Sequence, residues 1–204
     1  MDIEVIKGHL KQDSVLQPIV EKIVLPPLIV QQNVFKELTE SIISQQLSVK
    51  VAAIITQRLH DLLGTVDPSP EDILRLSTEE KRAIGLSYQK AGYMDNIAGF
   101  WIENSLASTS WQSMSDDEIL SLLTQIKGVG KWTVEMVLIF SLLRPNVFPY
   151  DDLGIKQQVI KLYGLESTGK QLIKDMNEVA ERWKPYRSFA SRYIWKSKDL
   201  AWKD

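Results

Sequence analysis

Apolar residues recur along much of the chain at intervals of three and four, the spacing that places side chains on one face of an α-helix. Residues 35–43 and 49–63 both follow this pattern, and the polar segment Gln45–Ser48 separates them. Gly64 comes directly after the second segment, where a glycine commonly ends a helix in the left-handed conformation. The pattern therefore predicts two amphipathic helices that are joined near Gln45–Ser48.

Helix start signals recur through the rest of the chain. A serine followed three residues later by an acidic residue is the pattern of a capping box, in which each side chain bonds the other residue's backbone N–H. Three such pairs are interpreted as helix starts: Ser69 with Asp72, Ser77 with Glu80, and Ser115 with Glu118. Helical spacing also covers two short segments before residue 27 and the ranges 89–104, 153–163, 169–183 and 187–196. Strand patterns are hard to find, so we expect an all-α chain.

A tight glycine turn precedes the most apolar segment of the chain, residues 132–143, which is interpreted as a single buried helix. The turn consists of Lys127, Gly128, Val129, Gly130 and Lys131. A turn that enters a helix leaves backbone N–H groups unpaired and points the positive end of the helix dipole outward, which suits a phosphate group. Such turns also serve packing alone, so the pattern by itself is a weak indication of phosphate binding.

A proline-containing loop and two aspartates follow the apolar segment. Pro145 and Pro149 interrupt the helical pattern, and Asp151 and Asp152 come immediately before the helical range 153–163. Aspartate is a favoured N-cap because its carboxylate accepts a hydrogen bond from a backbone N–H of the first turn. Helix capping alone would account for Asp152, so the residue needs a second indication before it is assigned a chemical role.

Several of these stretches together resemble the helix-hairpin-helix DNA glycosylase superfamily, and more narrowly its alkylation-repair branch, which removes 3-methyladenine. The segments that carry the resemblance are Ser44–Val49, Gly128–Gly130 with Trp132 and Thr133, Pro149–Leu153, Glu181–Ser188, and Ile194 with Trp195. They span most of the chain from about Phe35 onward, and their joint order is more specific than any single motif.

The resemblance implies a two-lobed helical fold with a cleft between the lobes, in which both ends of the chain contribute to one lobe. It implies a single glycosylase domain over residues 1–204, with the helix-hairpin-helix at about 116–143. The chain is short at its start relative to a bacterial form of this branch. We therefore expect no added N-terminal β domain.

Composition narrows the possible chemistry. The chain has no cysteine, which excludes disulfides, cysteine-ligated zinc and the cysteine-bound iron–sulfur cluster that some glycosylases of this superfamily carry. His9 and His60 lie at unrelated positions and do not suggest a metal site, so no cofactor is expected. With a net charge of −2, DNA binding must rely on local features rather than on bulk charge. Without a membrane-spanning run or signal peptide, we expect a protein of the bacterial cytoplasm, associated with the nucleoid, or of the nucleus in a eukaryote.

Asp152 is the predicted catalytic residue. Cleavage of the bond between a base and deoxyribose builds positive charge on the sugar, and a nearby carboxylate stabilises this charge or helps to deprotonate the attacking water. One helix and a proline loop separate Trp132 from Asp152, which is enough chain to return the aspartate to the mouth of the implied cleft. The family pattern likewise has its catalytic carboxylate at the second acid, directly before Leu153. Asp151 is interpreted as a loop or capping residue.

The residue after the glycine turn indicates the type of reaction. In superfamily members that also cut the DNA backbone, the position of Trp132 carries a lysine that attacks the sugar as an amine. Lys131 is one residue earlier, would point about 100° away around the helix, and is a poor substitute. The sequence therefore predicts a monofunctional glycosylase that uses water as the nucleophile and leaves an abasic site.

Four residues are candidates for the base pocket. Trp132 and Trp195 match aromatic pocket positions of the family, and Met136 stands where another member has a tyrosine. Alkylated purines such as 3-methyladenine and 7-methylguanine are cationic, and an aromatic face attracts a cation by up to ~2 kcal/mol when both are desolvated. Tyr88 is a weaker candidate for the cleft. Ordinary core packing is the alternative for the tryptophans, and a surface position is the alternative for Tyr88.

Gln46 is the candidate wedge residue. An enzyme that acts on a base must take it out of the stack, and a side chain must fill the gap that remains. Gln46 matches the wedge position of the family, where other members carry leucine, and its amide could also bond the orphaned partner base. The alternative is that Gln45 and Gln46 are only exposed loop residues.

The leading hypothesis is a monofunctional DNA glycosylase that excises alkylated purines from double-stranded DNA containing damaged bases. We expect a monomer without membrane contacts that holds phosphate at residues 127–131. The resemblance implies that a monovalent cation on the backbone carbonyls of residues 126–131 can mediate this contact. Two alternatives stay open: a glycosylase for another lesion, such as uracil, a deaminated base or an oxidised base, and a catalytically silent protein that only binds DNA.

Overall fold

A computed structural model of the chain describes residues 2–27 and 33–198, and every regular element within them is helical. The α-helices are α1 (Ile3–Leu10), α2 (Gln17–Lys22), α3 (Val34–Ser44), α4 (Val49–Leu63), α5 (Pro70–Arg75), α6 (Thr78–Ala83), α7 (Tyr88–Glu103), α8 (Asp116–Leu123), α9 (Lys131–Met136), α10 (Leu153–Tyr163), α11 (Gly169–Glu181) and α12 (Arg187–Ser197). The predicted all-α fold is confirmed. In this part of the chain, none of the helices combines the length and the apolar character needed to cross a bilayer.

The helix start and stop signals form as the sequence predicts. All three serine–acid pairs are capping boxes, in which the serine hydroxyl accepts the N–H of the acidic residue and the carboxylate accepts the N–H of the serine. Gly64 ends α4 in the left-handed conformation, with a φ of 69°. These bonds join residues three or four apart, so their pattern is visible in the sequence without knowledge of the tertiary fold.

The apolar segment after the glycine turn differs from the single helix predicted for residues 132–143. Helix α9 ends at Met136, and Val137–Ser141 continue as a π-helical turn. The N–H of Leu142 closes this turn on the carbonyl of Val137 at 2.9 Å, and Leu143 then adopts a φ of 54°. A π-helical turn contains one residue more than an α-helical turn, so it rotates the side chains that follow. Hydrophobic spacing alone does not indicate such a turn.

The chain divides into two compact units. The first consists of residues 2–27 and 143–198, with α1, α2, α10, α11 and α12, and the second consists of residues 33–142, with α3 to α9. Segments from both ends of the chain therefore belong to the same unit.

A buried aspartate organises the core of the first unit. One carboxylate oxygen of Asp13 accepts the backbone N–H groups of Val15 and Leu16 at 2.9 and 3.2 Å. The other accepts the Tyr163 hydroxyl at 2.9 Å and the Trp183 Nε1–H at 3.3 Å. Burial and the neighbouring Asp13 charge raise the pKa of Tyr163 above its ordinary range. This network ties the turn before α2 to the end of α10 and to Trp183, two residues after the end of α11.

Helix α3 is the centre of the second unit. It packs against α4, α7, α9 and the π-helical turn, and its residues Leu38, Ile42 and Ile43 are fully buried. Lys81 is also buried, and its ammonium donates to the Leu76 carbonyl at 2.9 Å and pairs with the carboxylate of Asp95 on α7. A buried ammonium needs partners of this kind because its desolvation would otherwise be costly.

A groove of about 510 Å³ between α3 and α4 contains a small group of titratable side chains. Burial of the carboxyl raises the pKa of Glu37 from 4.5 to about 7; the nearby Glu40 charge adds to this shift, and Lys36 opposes it. Glu40 itself lies 3.3 Å from His60 Nε2 and 3.8 Å from Lys36 Nζ. Glu37 is therefore the member of the group for which ionisation is unfavourable in the folded protein.

Replacing Glu37 with glutamine is expected to stabilise the protein at pH 8 and to have little effect at pH 5. Between about pH 4.5 and pH 7 the unfolded glutamate ionises while the folded one keeps its proton, so wild-type stability falls as the pH rises through this window. The variant avoids this loss, and we expect a gain of about 1–2 kcal/mol at pH 8. Urea unfolding at both pH values measures the difference. The exposed Glu103→Gln is the control, and an equal gain at both pH values would contradict the prediction.

Candidate functional site

Asp152 lies where the proline-containing loop enters α10. Its own N–H donates to the Pro149 carbonyl at 3.0 Å, and its Oδ1 caps the helix by accepting the N–H of Ile155 at 2.8 Å. The same Oδ1 accepts the Nε1–H of Trp195, 43 residues later in the chain, at 2.8 Å. Helix capping thus explains one of these bonds, while the bond from α12 adds a second constraint on the half-buried carboxylate.

Gly154 is a neighbour of this carboxylate that the sequence analysis missed. A Cβ at Gly154 would lie 3.1 Å from Asp152 Oδ1 and 3.3 Å from Trp195 Cδ1, closer than ordinary van der Waals contact. A larger residue at this position would therefore press on both partners of the hydrogen bond. The glycine stands two residues after Asp152 in the first turn of α10, where the sequence shows it but does not explain it.

The glycine turn before α9 packs closely on α7. Gly128 has a φ of +105°, and a Cβ there would lie 2.3 Å from the ring of Tyr93, so both the backbone conformation and the space require glycine. The carbonyl of the preceding Lys127 accepts the side-chain amide of Asn96 at 3.1 Å. Val129 is buried, which makes it an anchor for the turn rather than a ligand contact through its side chain.

The start of α9 has the features expected of an anion site. Gly130 is the N-cap of α9 in an extended conformation and, as a glycine, has no side chain with which to cap the helix. Lys127 is exposed, and Lys131 lies 3.6 Å from the buried carboxylate of Glu135 on the next helical turn. Backbone N–H groups and two lysines are thus grouped around one turn, and phosphate binding there stays a prediction.

Gln46 occupies an unusual position between α3 and α4. It is exposed and has a φ of +58°, in the left-handed region that only a few per cent of non-glycine residues adopt. The side-chain amide of the preceding Gln45 points to the glycine turn, with its nitrogen 3.4 Å from the Gly128 carbonyl and 3.4 Å from Thr133 Oγ1. Both distances are long for hydrogen bonds, so each contact is weak.

The remaining pocket candidates also belong to the second unit. Trp132 is half-buried and Met136 is buried one turn further along α9. Tyr88 is 67% exposed at the start of α7, with the Arg82 guanidinium 3.7 Å from the centre of its ring. The structure therefore groups Asp152 with Trp195 in the first unit, and the glycine turn with the Gln46 loop in the second.

Residues 39–185 match the HhH-GPD superfamily of base excision DNA repair proteins, and the chain belongs to this family. Within it, the chain is similar to DNA-3-methyladenine glycosylase 1 of Schizosaccharomyces pombe. The two are 36% identical over 170 residues, which cover 82% of this chain and 73% of the relative. The resemblance to the alkylation-repair branch that the sequence motifs indicated is confirmed.

Solved structures give the same assignment. The 3-methyladenine DNA glycosylase of Schizosaccharomyces pombe in complex with abasic DNA matches with a TM-score of 0.83 and 32% identity, covering 96% of this chain and 97% of that chain. The DNA-3-methyladenine glycosidase of Bacillus halodurans matches with a TM-score of 0.77 and 33% identity, covering 96% of this chain and 89% of that chain. The similarity therefore extends over nearly the whole fold and is not confined to the glycine turn.

Replacing Gly128 with alanine is expected to destabilise the protein by about 2–4 kcal/mol, because the added methyl group overlaps the Tyr93 ring and the φ of +105° disfavours a side chain. Thermal unfolding followed by circular dichroism measures the change. Gly130→Ala is the matched control: its Cβ would meet nothing within 4 Å and its φ is −96°, so a smaller loss is expected. Equal losses in the two variants would contradict this account of the turn.

Proposed function

We propose that the protein is a monofunctional DNA glycosylase that removes alkylated purines, such as 3-methyladenine and 7-methylguanine, and leaves an abasic site. The observation that carries the proposal is the Asp152 carboxylate, which the α10 N-terminus and the Trp195 indole hold in place. Membership of a base excision repair family and similarity to 3-methyladenine glycosylases support it.

Asp152 supplies the negative charge that this reaction needs. As the bond between the purine nitrogen and the sugar C1′ breaks, its electron pair leaves with the base and positive charge develops on the sugar. The carboxylate stabilises that charge and accepts a proton from the water whose oxygen bonds to C1′. The two N–H donors on Oδ1 fix the orientation of the group before the substrate arrives, so little reorganisation is required during the reaction.

Water rather than an amine is the proposed nucleophile. Trp132 stands where superfamily members that cut the DNA backbone carry a lysine. The neighbouring Lys131 is one residue earlier, about 100° around the helix, and its ammonium lies 3.6 Å from the Glu135 carboxylate, so it is a poor substitute for that lysine. The reaction therefore ends at the abasic site without a covalent enzyme–DNA intermediate.

The DNA contacts are proposed for the glycine turn and for Gln46. A phosphate binds to backbone N–H groups of residues 127–131 other than that of Val129, which donates to the Ile126 carbonyl at 3.0 Å, and Gln46 fills the gap left by the extruded base. The Ile126, Lys127 and Gly130 carbonyls each accept one hydrogen bond within the protein, so a monovalent cation at this turn would bind the second lone pair of such carbonyls. Such a cation would link the turn to a phosphate oxygen.

The proposed lesion class follows from the aromatic candidates. Trp132 in the second unit and Trp195 in the first each offer aromatic surface, Met136 and Tyr88 are further candidates in the second unit, and a cationic purine binds aromatic surface better than a neutral base does. A neutral lesion such as uracil would instead need polar groups that read its edge. We further propose a monomer that acts on damaged double-stranded genomic DNA, in the cytoplasm of a bacterium or the nucleus of a eukaryote.

Replacing Asp152 with asparagine is expected to lower the single-turnover excision of 3-methyladenine from methylated duplex DNA by at least about 100-fold. Asparagine can still cap α10 through its Oδ1, so folding and binding to a tetrahydrofuran abasic analogue should be retained. Asp151→Asn, which changes the exposed neighbour, is the control and should excise at the wild-type rate. A wild-type protein that binds DNA but releases no damaged base would favour the catalytically silent alternative, and release of uracil or an oxidised base alone would favour another lesion.

Trp195 has two proposed roles, as aromatic surface for the base and as hydrogen-bond donor to Asp152. Replacing it with phenylalanine separates them, because the change keeps an aromatic face and removes the Nε1–H. Loss of a hydrogen bond to a charged group is expected to lower kcat by about 10- to 100-fold, with KM and affinity for the abasic analogue nearly unchanged. Gly154→Ala should act in the same direction by displacing Asp152 Oδ1. A rise in KM alone would indicate that the indole contributes through its ring surface and not through the carboxylate.

A further inference from the structure

One face of α7 contacts both loops that are proposed to touch DNA. Lys90, Tyr93 and Asn96 follow one another at intervals of three residues, which keeps them on the same side of the helix. Lys90 reaches the loop that carries Gln46, while Tyr93 and Asn96 contact the glycine turn at Gly128 and Lys127. The two loops are far apart in sequence and share this helix as a support.

Lys90 makes the stronger of these attachments. Its ammonium donates to the carbonyl of Ile43 at 2.8 Å and to the carbonyl of Gln45 at 2.7 Å. These carbonyls lie at the C-terminal end of α3, where the helix dipole is negative and the helix has no basic residue of its own in its last turn. Burial lowers the pKa of Lys90, which indicates that the ammonium is partly withdrawn from water to make these bonds.

The attachment lies next to the strained residue. Gln45 ends α3 with an extended ψ of 127°, and Gln46 then turns into the left-handed region with a φ of +58°. A non-glycine residue in that region persists only where its surroundings hold it, and the Lys90 bond to the Gln45 carbonyl acts on the peptide unit that leads into Gln46. A local turn, in which the Leu47 N–H donates to the Ser44 carbonyl at 3.1 Å, also holds Gln46, and the Lys90 bond fixes the peptide unit inside that turn to α7.

We propose that Lys90 is a positioning residue for base extrusion: by clamping the Ile43 and Gln45 carbonyls to α7, it holds the Gln46 loop in the projecting conformation needed to enter the DNA stack. The inference rests on the proposed function, because it takes Gln46 to be the wedge residue. It assigns Lys90 an indirect role, because its ammonium is directed at two carbonyls of the protein rather than at a phosphate. Gln45, whose side-chain amide approaches the Gly128 carbonyl, extends the same support to the glycine turn.

The test uses a duplex with a tetrahydrofuran abasic analogue opposite 2-aminopurine, whose fluorescence rises when a wedge unstacks it. The full chain is titrated into the duplex, so that the dissociation constant and the fluorescence amplitude at saturation are obtained separately. Lys90→Met keeps the aliphatic stem and removes both bonds. We expect its saturating amplitude to fall by about half or more, because the loop loses two charge-assisted hydrogen bonds. Lys90→Arg, which can donate to the same carbonyls, should recover most of the amplitude.

Two controls separate positioning from loss of charge or of fold. Lys50→Met removes one exposed positive charge near the same loop and should keep the full amplitude, whatever its effect on affinity. Adding Lys90→Met to Gln46→Ala should cause no further loss of amplitude, since both changes act on the same insertion. A Lys90→Met protein that reaches the full wild-type amplitude at saturation, and merely binds more weakly, would overturn the inference and leave the proposed function intact.

The readout does not depend on catalysis. If the wild type inserts its wedge and Lys90→Met does not, the inference holds even where no alkylated base is released, and the proposed function fails separately in the excision assay. If the wild type produces no rise in fluorescence on binding the abasic analogue, Gln46 is not a wedge and the inference fails. Circular dichroism melting of each variant identifies a loss of amplitude that comes from unfolding, and Lys90→Arg then supplies the comparison in a folded protein.

Discussion

The hydrogen bond between the Trp195 indole and the Asp152 carboxylate is the interaction on which the proposed chemistry depends. A carboxylate at the start of a helix is already stabilised by backbone N–H groups, and most such aspartates do no more than cap the helix. The indole converts the cap into an oriented group by fixing the same oxygen from a second direction. Gly154 leaves room for both Asp152 and Trp195. The position of this one oxygen atom therefore depends on Gly154 and Ile155 of α10 and on Trp195 of α12.

The second unit solves a different physical problem, which is to hold two short loops whose backbones have positive φ angles. Gly128 and Gln46 both have positive φ angles, and neither loop is long enough to form a core of its own. Both are attached to α7, one through the Tyr93 ring and the Asn96 amide, the other through the Lys90 ammonium. Helix α7 thereby keeps both loops in fixed positions. Fixed loops suit the proposed contacts with DNA, because the protein backbone must stay in place when the loops push against the DNA.

The proposed site separates into a part that is local in sequence and a part that is not. The glycine turn, the Asp151-Asp152 pair and the capping boxes each involve residues within four positions of one another. Such features can be predicted from the spacing of residue types along the sequence. Trp195 was expected from the sequence as a pocket aromatic, and its bond to Asp152 was not foreseen. The π-helical turn at Val137–Ser141 was also missed, because hydrophobic spacing cannot register one additional residue in a buried segment.

The amino-acid sequence was sufficient for the helical class, for most helix limits and for the family, because spacing, caps and short motifs are properties of neighbouring residues. It was not sufficient for Gly154, Tyr93, Lys90 or Asn96, whose importance comes from atoms that approach across helices. Lys90 reads in the sequence as an ordinary surface lysine near the start of α7. Only when α3 packs on α7 does its ammonium meet the carbonyls of Ile43 and Gln45, since long-range packing brings together groups that 45 residues of chain separate.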